Sequence, residues 1–214
     1  MSPENQIVDP RQSFRAWLAD GPASEPRLSP TQELLAEHYL MSSVLSCMES
    51  EARRLKGGEP LRAFFWSAVI DFNGNFVHMG HRVKEELHYI PALIEGGWIE
   101  RPTIEAFHDE HERAKQLTLH ISSFVQCGDW EAVLRFVVLY VHFLPQHMRE
   151  EEDRLFSIGA ELSPETNGRL RSAFDEIDRR TLAGGSRLHY VDLARQLCTA
   201  SGIEFDPGCS RAAP

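Results

Sequence analysis

Two stretches of this 214-residue chain repeat one spacing, His81-Arg-Val-Lys-Glu85 and His147-Met-Arg-Glu-Glu151, both H-x3-E. Four residues along an α-helix turn through about 400°, so each pair shares one face, only about 40° apart. Whether that face is wet or buried decides the chemistry. Around the second pair, Val133, Phe136, Tyr140, Leu144, His147, Glu151 and Leu155 recur at helical spacing, so both polar residues lie on an apolar stripe. Leu34, His38, Met41, Leu45 and Met48 set His38 inside a similar seam, and Ile104, Phe107, His111, Ala114, Thr118 and Ile121 do the same for His111. Four histidines and two carboxylates are therefore expected to point into a core. An ionised carboxylate buried without a partner costs several kcal/mol, which cations at the same place would offset. Imidazole with carboxylate suits Fe, Mn or Zn, and helix-bundle interiors hold paired metals. The residues thus predict a dinuclear metal site with ligands His38, His81, Glu85, His111, His147 and Glu151.

The chain has ten histidines, and the other six divide. His78 and His108 each precede a proposed ligand by three residues, about 60° off its direction, and stand as candidates for a fifth imidazole. His88 continues the stripe of the first H-x3-E helix near its end. His120, His142 and His189 read as packing or surface residues. The acidic run 150–153 reads as a solvated face apart from Glu151.

Helices must carry these side chains. Ser29-Pro30-Thr31-Gln32 places an N-cap Ser, a Pro at the first helical position and Gln three after the cap, opening a helix over 30–56 that Gly57-Gly58 stops. A second is expected over 60–89, with Asn73-Gly74 as a point of interruption and Pro91 after it. A third spans 102–127, stopped by Gly128. Asp129 then caps a fourth, to about 156. In that helix Pro145 lies two residues before His147, which predicts a kink or widened turn re-aiming His147. Shorter helices are expected over 14–19, 164–182 (stopped by Gly184-Gly185) and 187–199. Strand signals are nearly absent. The expected fold is all-α, an up-down four-helix bundle with one or two additional C-terminal helices. Its organisation reads as an N-terminal extension (1–28), the bundle (29–160), C-terminal helices (161–200) and a flexible tail (201–214).

Composition narrows the partners. Asp and Glu outnumber Lys and Arg by 32 to 22, a formal charge of −10. That balance argues against nucleic acid, which demands a basic face, and against an anionic membrane surface. Cysteines at 47, 127, 198 and 209 show no C-x2-C spacing and read as reduced thiols. A polar, acidic N-terminus and the lack of a long apolar run point to a cytoplasmic location. The run 136–144 is apolar almost all round, which predicts deep burial or a homodimer face.

At these residues the chain resembles the hemerythrin-like (HHE cation-binding) family. The matching pieces are Glu37-His38, His81-x2-Lys84-Glu85-Glu86 followed by Ile90-Pro91-Ala-Leu, Glu110-His111, and His147-x3-Glu151 followed by Leu155-Phe156, across roughly 30–160. The resemblance implies two iron ions with an oxo or hydroxo bridge, Mn or Zn being the substitutes. It implies terminal ligands at His38, His81, His111 and His147, and bridging carboxylates at Glu85 and Glu151. Oxygen carriers of the family have H-x3-H on the third helix, where this chain has Phe107, and place an Asp at x4 on the fourth. One imidazole fewer leaves an open coordination position, which favours reactivity over carriage. The expected function is binding of O2, NO or peroxide for sensing or detoxification. A peroxide or NO reductase is the enzymatic alternative, and a metal-free or zinc-loaded helical interaction module is the third. The bacterial members linked to nitrosative stress and iron–sulfur repair have an N-terminal cysteine-containing domain that this sequence does not show.

Overall fold

In a computed structural model, residues 10–19, 28–181 and 187–205 are described. They form seven helices and, among the described residues, no strand. The helices are α1 (Pro10–Ala19), α2 (Pro30–Lys56), α3 (63–95), α4 (Arg101–Cys127), α5 (Trp130–Arg154), α6 (Pro164–Thr181) and α7 (Arg187–Ser201), with a 3-10 turn at Phe156–Glu161 after α5. Outside the described residues lie Gly184-Gly185, Cys209 and most of the expected tail.

The expected start signals operate. The Ser29 hydroxyl accepts from Gln32 N–H at 3.2 Å while the Gln32 side chain accepts from Ser29 N–H at 2.9 Å, satisfying two orphan donors of α2. Asp129 caps α5 by accepting from Ala132 N–H at 3.0 Å. Between them, Gly128 closes α4 at φ +70, a left-handed conformation that costs glycine nothing.

Helix α3 departs most from expectation. Its first turns are α (Ala63–Asp71), then it widens into a π-helix over Phe72–His81, returns to α at Arg82–Lys84, widens again over Glu85–Tyr89, and ends as α over Ile90–Glu95. Asn73 and Gly74 therefore widen the helix without interrupting it. Pro91 does not end it either, because the second π segment stops directly before the turn that holds the proline. By contrast α5 stays α-helical from Trp130 to Arg154 through Pro145, so the widened turn expected beside His147 is absent there and lies in α3.

Two apolar clusters bracket a polar layer. The larger joins α1 to α5 and α7 and includes Phe14, Trp17, Met41, Val77, Ala114, Leu144 and Met148; the smaller includes Leu34, Tyr89, Phe107, Leu155, Phe156 and Phe174. Along α2, His38 falls between Leu34 of one cluster and Met41 of the other. Along α4, His111 falls between Phe107 and Ala114, and on α5 Glu151 falls between Met148 and Leu155. The run 136–144 splits: Val137, Tyr140, Val141 and Leu144 are buried, whereas Val138 and Leu139 are exposed. Phe14 and Trp17 of α1 are buried in the core, so the α1 part of the segment read as an extension packs on α2. No helix among the described residues is long and apolar enough to cross a membrane.

Candidate metal centre

All six proposed ligands meet in that polar layer, each at most 5% exposed. Glu85 sends Oε1 toward His81 Nε2 (3.3 Å) and Oε2 toward His111 Nε2 (3.3 Å). Glu151 sends Oε2 toward His38 Nε2 (3.4 Å) and Oε1 toward His111 Nε2 (3.0 Å) and His147 Nε2 (3.1 Å). The two carboxylates therefore lie between a His38–His81 half and a His111–His147 half, one oxygen of each facing each half. Donor atoms of His38, His81, Glu85 and Glu151 lie within 4.8 Å of one another, as do those of His111, His147 and Glu151.

The backbone of α3 helps aim two of these groups. His81 is the last residue of one π segment and Glu85 the first of the next, with three α residues between. π turns inside α-helices concentrate at functional sites because they displace side chains from the α register.

Every imidazole is held from behind by a carboxylate on another helix. His38 Nδ1 donates to Glu152 (2.9 Å), His81 Nδ1 to Glu37 (2.8 Å), His111 Nδ1 to Glu86 (2.9 Å) and His147 Nδ1 to Glu110 (2.7 Å). The pattern is a closed ring: α2 supports α3, α3 supports α4, α4 supports α5, and α5 supports α2. An Nδ1–H held this way fixes the tautomer that leaves Nε2 as the lone pair turned inward, the usual outer shell of a metal-ligating histidine. Glu152 thus corrects the reading of 150–153, since a second member of that run faces His38. Glu37 and Glu110 are each the residue before a proposed ligand, yet each serves a histidine on a different helix, a pairing that spacing cannot express.

The ionisable groups of the centre shift one another strongly. Burial and Glu151 raise the Glu85 carboxyl, but His81 and His111 outweigh them and hold it below its ordinary value. Burial likewise opposes ionisation of Glu151, and His147, His111 and His38 hold it well below. The imidazoles answer in the opposite sense. Burial alone would lower His81, yet Glu85 and Glu37 push it up to about 10, and against the same penalty Glu151, Glu85 and Glu86 push His111 up to about 12. Protons on imidazoles take the place of a cation. Even so, both oxygens of Glu85 and Oε2 of Glu151 are buried without a hydrogen-bond partner, and the Nε2 atoms of His38 and His81 face each other at 3.1 Å. Carboxylate oxygens without donors beside converging imidazole nitrogens are a donor set that could hold a metal ion.

The other histidines fall outside this group. His78 lines a small cavity beside the centre and donates from Nε2 to Thr118 Oγ1 at 3.0 Å, whose own proton goes to the Ala114 carbonyl. His108 is half exposed, with Nδ1 3.0 Å from Glu86. His120 stacks on Phe136 near the surface and His189 lies by Asp71. The cavity, of about 10 Å³, is walled by Met41, Val77, Ala114 and Leu144 and reaches His81, His111 and His147. That is room for about one water molecule. Phe107 is buried with its ring against His147.

A second buried acidic group, Glu33, Glu37 and Asp178, surrounds Lys84. Its Nζ donates to Glu33 (2.9 Å), to Glu37 and to Asp178 (2.7 Å). Burial would raise Glu37, but Lys84 and His81 bring it down to about 2. Glu37 thus belongs to both networks, joining Lys84 to His81.

No protein-family model, curated protein or solved structure matches this chain.

Proposed function

We propose that α2 to α5 form an up-down four-helix bundle whose interior holds two metal ions, iron in the native protein, and that the centre takes up O2, NO or peroxide for sensing or detoxification. One observation carries this reading: three oxygens of Glu85 and Glu151 are buried without hydrogen-bond partners between four converging Nε2 atoms. In this reading His38 and His81 hold one ion, His111 and His147 the other, and Glu85 and Glu151 bridge them. Iron there would supply redox and ligand-binding chemistry toward small oxidants.

The chain's own residues do the rest. Glu152, Glu37, Glu86 and Glu110 accept the four Nδ1–H groups and keep Nε2 available. Phe107 and Leu144 keep bulk water off the centre, which preserves the strength of its charge interactions. A cavity for about one water suits a diatomic molecule or peroxide and excludes larger substrates. With six protein ligands and Phe107 in place of a further imidazole, bound ions would keep a position for a small oxidant, which favours reaction over carriage.

The test is iron analysis of protein purified under low air, with an optical spectrum before and after O2. The reading predicts about two irons per chain and an oxo-to-iron charge-transfer band after O2. Less than about one iron per chain with no such band overturns it. Repeated turnover of peroxide or NO with an external reductant, abolished by Glu151→Ala, would extend the reading to an enzyme.

A further inference from the structure

Within the larger core, Cys47 of α2 and Cys198 of α7 meet with their sulfurs 3.3 Å apart, both without exposed surface. They are 151 residues apart in sequence. Close by, the Ser50 hydroxyl donates to the Ser201 carbonyl at 3.4 Å, a second tie between the same two helices. A disulfide spans about 2.05 Å, so these sulfurs are roughly 1.2 Å from bonding distance. A buried cysteine alone behaves as a small hydrophobe, but two in contact from opposite ends of a chain are placed to react with each other. They are also unequal: the hydrogen bond between them favours the thiolate at Cys198, whereas the same contact and burial push the Cys47 thiol up.

We propose that Cys47 and Cys198 are a site of reversible oxidation, closed into an intramolecular disulfide by a two-electron oxidant of the peroxide class. The Cys198 thiolate attacks one peroxide oxygen and breaks the O–O bond, giving a sulfenic acid and hydroxide. Hydroxide takes the Cys47 proton and leaves as water. The Cys47 sulfur then attacks the Cys198 sulfur, the S–O bond breaks, and the departing hydroxide is protonated from solvent. In sum, two thiols and one hydrogen peroxide give one disulfide and two waters; the sulfur pair loses two electrons and the O–O bond gains them. The bond latches α7 to the helix that carries His38, and it requires no metal, so its fate is independent of the reading of the His/carboxylate centre.

Because both sulfurs are covered, the oxidant reaches them through opening of α7, and oxidation is slower than at the exposed Cys127. The experiment treats a Cys127→Ser/Cys209→Ser chain with hydrogen peroxide, with and without chelator, alkylates it in denaturant and maps the peptides without reductant. The expected product is two hydrogens lighter, carries a Cys47–Cys198 linked peptide in both arms, reverts with dithiothreitol, and melts about 5 °C or more above the reduced form. Full alkylation of both cysteines, after an exposure many times longer than the one that oxidises Cys127 in the native sequence, overturns the proposal. So does separate conversion of either to sulfinic acid. Cys198→Ser in the same background should leave Cys47 unmodified, and oxidation of Cys47 there overturns the order of attack.

Discussion

Two buried acidic clusters lie on either side of Glu37, and they close in different ways. Around Lys84, three carboxylates share one ammonium that the chain itself supplies, and only Asp178 Oδ2 is left buried without a hydrogen bond. Among the described residues, the ion-pair partners of Glu85 and Glu151 are imidazoles, and three carboxylate oxygens lack hydrogen-bond partners. A cluster completed by a covalently attached cation has no call on a metal. One completed only by protons on imidazoles can exchange those protons for metal, because imidazole binds a cation through the lone pair that a proton would occupy.

The largest expected effect comes from removing the cation of the first cluster. Lys84→Met leaves Glu33, Glu37 and Asp178 facing one another in the interior, and should cost about 3–5 kcal/mol in denaturant unfolding, with no rescue by added Fe(II), Mn or Zn. A loss below about 1 kcal/mol, or recovery with metal, would break the distinction between the clusters. Next is Glu151→Gln, which keeps shape and removes a bridging charge. Bound metal should fall from about two ions to one or none per chain. Unchanged metal content would contradict the bridging role.

The clusters should also part in their response to pH. In the metal-free chain the folded pKa values of His81 and His111 lie above the ordinary value of 6.5, at about 10 and about 12. Their contribution to stability is therefore fully present below pH 6.5 and is lost as pH rises through those values. A chelated chain should melt at lower temperature at pH 10 than at pH 6, and a metal-loaded chain should resist that loss because metal replaces the protons. Identical alkaline profiles would contradict the exchange. The smallest effect concerns the ring of supporting carboxylates. Glu110→Gln should weaken metal binding by about 10–100-fold through misalignment of His147, measured by competition with a chelating dye, and no change would show the ring to be structural only.

Much of this was legible in the sequence where periodicity carries the information. The seam positions of His38, His111 and His147 follow from helical spacing, and the capping box at Ser29 from local hydrogen-bond chemistry. The π segments were not legible. Asn73-Gly74 signals weak helix propensity, but whether a helix breaks or widens depends on tertiary packing, here of Phe72 and Phe76 in the larger core. Nor does Pro145 widen its helix, since a proline loosens a helix only as its neighbours allow, and α5 remains α-helical through it. The supporting ring was half visible. Glu37 and Glu110 stand beside ligands in sequence, but their partners are histidines on other helices, and Glu152 lies in a run in which Glu150 and Asp153 face water.

The account turns on two ions in the His/carboxylate centre. A crystal structure of the protein purified with iron, with anomalous data at the iron edge, measures this most directly. The account predicts two peaks, one close to His38 and His81 Nε2 and the other to His111 and His147 Nε2, with Glu85 and Glu151 between them, and none at Glu33, Glu37 and Asp178. An absence of peaks at the centre, or a peak in the Lys84 cluster, would contradict it.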